Sequence, residues 1–255
     1  MLFDTIVYGP IHSRRLGTSL GVNLMPTTHK LCTFDCVYCE CGFNTPVSHP
    51  VLPTREEVKT ALEESLSTFD FQLSTLNVIT FSGNGEPTLH PDFEGIIEDT
   101  CALRDRYCPT AKVSVLSNST QLGREDVVRA LKRCDNRILK LDSAIDSTMR
   151  LIDRPTNHEL TVEQIIRHLE PFGGDFTLQT CFLRGEVPGG AIDNTTPEEL
   201  NAWYRAIERL HPKQIMMYVI DRATPVKTLE KISREQMESI AAPLRDKGYD
   251  VIVSA

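Results

Sequence analysis

The chain alternates short β-rich runs with amphipathic helical stretches, and this order narrows its fold more than any other feature. The strand candidates are "SLGVNL" (Ser19 to Leu24), "LNVITF" (Leu76 to Phe81), "KVSVLS" (Lys112 to Ser117), "RILKL" (Arg137 to Leu141), "FTLQTC" (Phe176 to Cys181) and "QIMMYVI" (Gln214 to Ile220), with "YDVIV" as a seventh. Four helix starts stand between them, each a hydroxyl residue three places before Glu or Gln: "TREE" at Thr54, "TVEQ" at Thr161, "TPEE" at Thr196 and "SREQ" at Ser233. That spacing is a capping box, in which two side chains satisfy each other's orphan backbone N–H groups. Strand then helix, repeated about six times, means a parallel sheet. Right-handed crossovers leave an open doubly wound sheet or a full or partial barrel, and both carry their chemistry at the strand C-termini. Nothing reads as a linker, so residues 1–255 are read as one domain.

Composition excludes some partners. The net charge is −8, so the whole-molecule field repels phosphate backbones and a nucleic acid would need a local basic patch. No apolar run approaches a membrane span, and the first residues lack the basic region and long apolar stretch of a leader. A soluble, cytoplasmic protein with no membrane partner is expected.

Four of the eight cysteines fall in "CTFDCVYCEC", Cys32 to Cys41, while Cys101, Cys108, Cys134 and Cys181 are scattered. That distribution suits a metal site in a reducing compartment better than a disulfide framework. Cys32, Cys36 and Cys39 have the spacing C-x3-C-x2-C, and three thiolates in so tight a turn can reach three corners of a [4Fe–4S] cubane. The fourth iron then needs a ligand from elsewhere. Cys41 could fill it and close the site, as in a four-thiolate zinc knot, although structural zinc sites usually use two separated cysteine pairs and no second pair follows.

The stretch "CTFDCVYC" resembles the signature of radical S-adenosylmethionine (SAM) enzymes, with Tyr38 at its aromatic position. The resemblance implies an α/β fold, a partial (β/α)6 TIM-type barrel, and a cluster on Cys32, Cys36 and Cys39 whose open iron is chelated by SAM. It further implies an enzyme of iron–sulfur oxidoreductase or lyase type. A flavodoxin- or ferredoxin-type electron donor would drive cleavage of SAM to a 5′-deoxyadenosyl radical that abstracts a substrate hydrogen. Cys41 is not a ligand on this reading.

The strand ends supply the remaining candidates. In "TFSGNGEPTLHP", Gly83 and Gly85 permit close backbone approach and Glu86 adds a carboxylate. The stretch resembles the family's Gly-Gly-Glu motif for the SAM amino group, with Asn84 a departure from it. Ser117 and Asn118 end the next strand, either as cofactor contacts or as a turn with a side-chain cap. Lys140 and Asp142 share one face of the fourth strand, a costly pair unless both find partners. Resemblance puts Asp142 and Ser143 near the SAM ribose or carboxylate, and Tyr218 beside the cofactor. Lys140, Cys181 and Arg222 are the catalytic candidates, and His12, Arg14, Arg15, Gln179 and Asp221 are the substrate candidates. Asp221 and Arg222 read equally well as a surface ion pair. "FLRGEVPGGAIDNTT" reads as a long loop suited to a lid.

The resemblance extends to a group placed beside the tRNA-wyosine synthases, which makes RNA modification one alternative. No cysteine precedes Cys32, however, Lys30 is the lone lysine upstream of the loop, and the charge disfavours RNA. A small-molecule substrate is expected, with a glycyl-radical activase or a non-catalytic iron–sulfur or zinc scaffold as further alternatives.

Overall fold

The hydrophobic runs become parallel strands in a computed structural model that describes residues 2–13, 16–69 and 75–255. The chain divides into two units, Met1–Cys32 with Asn44–Arg137, and Thr33–Phe43 with Ile138–Ala255.

In the first unit, β1 (Val7–Ser13) runs antiparallel to β2 (Gly17–Val22), which pairs in parallel with β3 (Val78–Phe81), as β3 does with β4 (Lys112–Ser117). All four residues of β3 are buried, the expected state of a parallel strand covered on both faces. Helix α1 (Arg55–Thr68) packs on α2 (Phe93–Tyr107), and α2 on α3 (Glu125–Arg133). Val58, Leu62 and Leu66 form the buried stripe of α1, and Thr54 closes the expected capping box with Glu57.

In the second unit, β5 (Asn136–Lys140) pairs in parallel with β6 (Thr177–Val187), β6 with β8 (Gln214–Val219), and β8 with β10 (Val251–Ser254). Its helices are α4 (Asp146–Ile152), α5 (Val162–Leu169), α6 (Pro197–Leu210) and α7 (Arg234–Asp246). Trp203 of α6 stacks edge-on against Phe182 at 5.1 Å and donates from its ring nitrogen to Thr180 Oγ1 at 3.0 Å, so a large aromatic is buried with its polar atom satisfied.

Two expectations are corrected here. The segment read as a long loop after the fifth strand is a continuation of β6, paired with β7 (Gly190–Asp193) and β9 (Leu229–Lys231) in antiparallel fashion. Val187 faces Gly190 across the two-residue turn Pro188–Gly189, where Gly189 holds φ 108°. Leu183, Val187 and Ile192 are buried with Val37, Ile152 and Cys181, which explains why the segment is strand and not lid. The capping boxes also differ from expectation. Thr161 closes one with Gln164, but Thr196 and Ser233 cap their helices alone. Their third residues are drawn elsewhere: Glu199 accepts from Ser143 Oγ at 2.7 Å, and Gln236 accepts from Arg184 at 2.7 Å.

Candidate active site

In the first unit, the end of β3 and the chain leading to Cys32 are built against each other. Leu31 bridges to Gly85 in parallel, with Leu31 N–H donating to the Asn84 carbonyl at 2.9 Å and Glu86 N–H donating to the Leu31 carbonyl at 3.1 Å. A Cβ at Gly85 (φ 151°) would lie 1.7 Å from that Leu31 oxygen. At Gly83 (φ 130°) it would lie 2.6 Å from Asn23 Oδ1. The close approach that both glycines permit is therefore made by the protein's own chain. Asn84, the departure from the family motif, is a fully buried hub: its side chain donates to the Phe3 and Pro26 carbonyls and accepts from Phe3 N–H.

Glu86 is 2% exposed, and its carboxylate accepts from Ser117 Oγ at 2.8 Å, Asn118 N–H at 2.7 Å, and both Thr88 N–H and Thr88 Oγ1. Burial pushes its pKa upward, partly offset by those donors. Ser117 and Asn118 thus join the Gly-Asn-Gly-Glu stretch through one carboxylate, and Asn118 Nδ2 also donates to Cys32 Sγ at 3.5 Å. Cys32 N–H donates to Asn44 Oδ1 at 3.1 Å.

In the second unit, Cys36, Tyr38, Lys140, Asp142, Asp153, Cys181 and Tyr218 form one network. Lys140, 9% exposed, sends its ammonium to Cys36 Sγ at 2.9 Å, Asp153 Oδ1 at 2.5 Å and Asp142 Oδ2 at 3.1 Å. Burial works to lower its pKa, but Asp142 and Asp153 outweigh burial and raise it, so the lysine stays charged. Burial raises the Asp153 carboxyl to about 7 despite that lysine. The costly Lys140–Asp142 pair noted in the sequence has its partners. Tyr38 donates to Asp142 Oδ2, Tyr218 donates to the Tyr38 hydroxyl at 3.3 Å, and Cys181 N–H donates to Asp142 Oδ1 at 2.9 Å. Burial raises the pKa of Tyr38, Tyr218 and Cys181, and the Asp142 charge adds to it. Cys181 is fully buried. Within the cysteine loop, Cys39 N–H donates to the Cys36 carbonyl at 3.1 Å.

Other candidates lie apart from these groups. Ser143 is buried against Glu199, and Gln179 contacts Met216 sulfur at 3.7 Å. Arg222 pairs with Glu40 at 2.7 Å and Asp221 with Lys231 at 3.6 Å, all four side chains being about half exposed or more. His12 is exposed on β1 opposite Thr18, and Arg14 and Arg15 lie outside the described residues. Sequence reasoning missed Asp153 and Asn194. Asp153 follows α4, 117 residues from Cys36, with no local pattern to mark it. Asn194 donates to the Asp142 and Cys181 carbonyls, both at 2.8 Å, fixing the chain just past β5 to the middle of β6.

The donor set suits an iron–sulfur cluster. Thiols at C-x3-C-x2-C spacing are soft ligands, and two of them have N–H donors at sulfur, as cluster thiolates favour. Among the described residues, no three His, Cys, Asp or Glu side chains are arranged to hold a single metal ion.

The family model described as the radical SAM superfamily matches residues 27–187, from just before the cysteine loop to the end of β6. The chain belongs to this superfamily, whose enzymes use a [4Fe–4S] cluster and SAM. A Brachyspira hyodysenteriae protein named GTPase Obg is 29% identical over 91% of this chain and 32% of its own length. A UPF0026 protein of Methanocaldococcus jannaschii is 32% identical over 70% of this chain and 54% of its own. The chain therefore spans between about a third and about half of these curated relatives. Streptococcus suis SuiB bound to SAM aligns with a TM-score of 0.65 at 12% identity, over 92% of this chain and 50% of SuiB. TYW1 with a lysine–pyruvate adduct aligns at 0.61 and 14% identity, over 91% of this chain and 75% of TYW1. At these identities the likeness is one of fold: the α/β, parallel-strand architecture of radical SAM partial barrels. No helix among the described residues is long and apolar enough to cross a membrane.

Proposed function

We propose that Cys32, Cys36 and Cys39 hold a [4Fe–4S] cluster at which the protein cleaves SAM reductively, and that the resulting radical abstracts hydrogen from a small-molecule substrate. The C-x3-C-x2-C loop inside the family match carries this reading, because three thiolates at that spacing can reach three irons of a cubane and leave the fourth for another ligand. When bound, the cluster supplies the electron that splits the S–C5′ bond of SAM, and a flavodoxin- or ferredoxin-type protein restores it. The chain's own part is to hold and orient. Gly83, Gly85, Glu86, Ser117 and Asn118 present one strand-end surface for the amino-acid end of SAM, with Glu86 fixing the Ser117–Asn118 corner. Tyr38, Asp142 and Tyr218 are the candidates for its ribose and adenine, with Ser143 beside Asp142 in sequence but turned to Glu199. Tyr38 and Tyr218 add apolar area that excludes water.

A small-molecule substrate is favoured over RNA by the net charge of −8. Lys30 is also the lone lysine before the cysteine loop that an imine-forming RNA-modifying reaction could use. The test is anaerobic reconstitution with iron and sulfide, addition of SAM and dithionite, and chromatography of 5′-deoxyadenosine. The nucleoside should form, and Cys36→Ala should abolish it. Four bound irons with no nucleoside, and no change of the cluster spectrum on adding SAM, would instead favour a closed scaffold.

A further inference from the structure

Lys140 is placed with unusual economy for a buried cation. An ammonium has three N–H donors, and here they meet three acceptors: Asp153 Oδ1, Asp142 Oδ2 and the sulfur of Cys36. The rings of Phe34 and Tyr38 stand 5.2 and 4.9 Å from the nitrogen and screen it from water. The Asp142 carboxylate faces the same ammonium, so the sulfur contact is not needed to balance its charge.

The frame around this contact is rigid. Asp35 N–H donates to the Asp153 carbonyl at 2.8 Å, and Val37 N–H donates to the Ile152 carbonyl at 2.9 Å. These bonds flank Cys36 on both sides. They fix the segment that carries the Asp153 carboxylate to the backbone that carries the thiol. Lys140 itself leaves the last position of β5, whose partner strand β6 is held by Leu141 N–H donating to Gln179 at 3.0 Å.

We propose that Lys140 is a positioning residue that raises the reduction potential of the cluster through a charged hydrogen bond to the Cys36 sulfur, with Asp153 and Asp142 setting how much of its charge is felt. The proposal rests on the reading that Cys36 is a cluster ligand. Hydrogen bonds to cluster sulfurs and local net charge are two of the levers on such a potential. A cation beside a thiolate ligand stabilises the form with one more electron, and a water-poor surrounding strengthens the effect. Removing the cation should make reduction harder, and removing a neighbouring carboxylate should make it easier.

The experiment is a dithionite titration with redox mediators, in the absence of SAM, following the one-electron-reduced cluster by EPR in reconstituted wild type, Lys140→Met and Asp153→Asn. Lys140→Met should lower the equilibrium constant for reduction about tenfold, which for one electron is about 59 mV more negative. Asp153→Asn should shift it in the opposite direction. A purely structural role would leave both midpoints at the wild-type value or move them the same way, and either result would overturn the proposal. Loss of iron from both variants, with their folds intact by circular dichroism, would also overturn it by making the role one of assembly. Iron and sulfide content in Cys36→Ala keeps the two readings apart. Four irons retained there would sink the ligand assignment itself, whereas iron lost there with unshifted midpoints in the other variants would sink only the proposal about Lys140.

Discussion

Gly85→Ala should be among the most damaging single-methyl changes in the first unit. The added Cβ would sit 1.7 Å from the Leu31 carbonyl oxygen, a backbone atom that cannot rotate away. The φ of 151° would also be strained for any L side chain, at about 1–3 kcal/mol. Relieving the overlap means parting the two segments. That forfeits the bonds from Leu31 N–H to Asn84 and from Glu86 N–H to Leu31, each worth about 0.5–1.5 kcal/mol net. Together the loss is about 4 kcal/mol, a large share of the roughly 5–15 kcal/mol that keeps a typical domain folded. Gly42 provides the control. Its φ is 81°, but nothing lies within 4 Å of a Cβ there, so Gly42→Ala should cost only about 1 kcal/mol. Urea titration of both metal-free variants under reducing conditions, followed by circular dichroism, measures the difference. Equal losses would refute the reasoning, because they would mean that φ strain alone governs both sites and the Leu31 contact is soft.

Three further outcomes are expected. Cys41→Ala should retain iron and SAM cleavage; iron lost from this variant, by colorimetric assay, would make Cys41 the fourth ligand. Glu86 gives a pH signature. Burial holds its native pKa above its unfolded value of about 4.3. The native state therefore binds the proton more tightly, and this group's stabilising contribution is present at low pH and lost as pH rises through the native value. Glutamine cannot titrate, so the stability of wild type relative to Glu86→Gln should fall across that window in urea titrations at stepped pH, and a flat difference would contradict the burial argument. Thr161→Ala opens a reciprocal capping box and should cost about 1 kcal/mol in thermal unfolding; an unchanged midpoint would mean the first turn of α5 is held by packing alone.

The parallel strands were legible because burial on both faces leaves near-continuous apolar runs such as "VITF" in β3. β1 was not, since "VYGPIHS" contains Gly9 and Pro10 and its register shifts between Tyr8 and Ile11, so no alternation survives. The second half of β6 was hidden for a related reason: "RGEVPGG" has the composition of a loop, and its pairing with β7 and β9 depends on contacts made far along the chain. At the site, the cysteine spacing and the strand-end polar residues could be read directly. What could not be read was which of them meet. Glu86, Ser117 and Asn118 were separate candidates until one carboxylate joined them, and Asp153 carries no local sign of its contact with Lys140. Sequence periodicity reports a residue's own element, whereas partners across elements are set by packing.

The backbone bonds on either side of Cys36 also couple two distant parts of the chain. Asp35 and Val37 are tied to Asp153 and Ile152, and Thr156 N–H donates to the Thr33 carbonyl at 2.9 Å. Ordering a residue costs about 1–2 kcal/mol, and these bonds, each worth about 0.5–1.5 kcal/mol net, offset part of that cost for the stretch from Thr33 to Val37. Cys36 and Asp153 are 117 residues apart in sequence, so a change that unseats the end of α4 would loosen the cysteine loop as well.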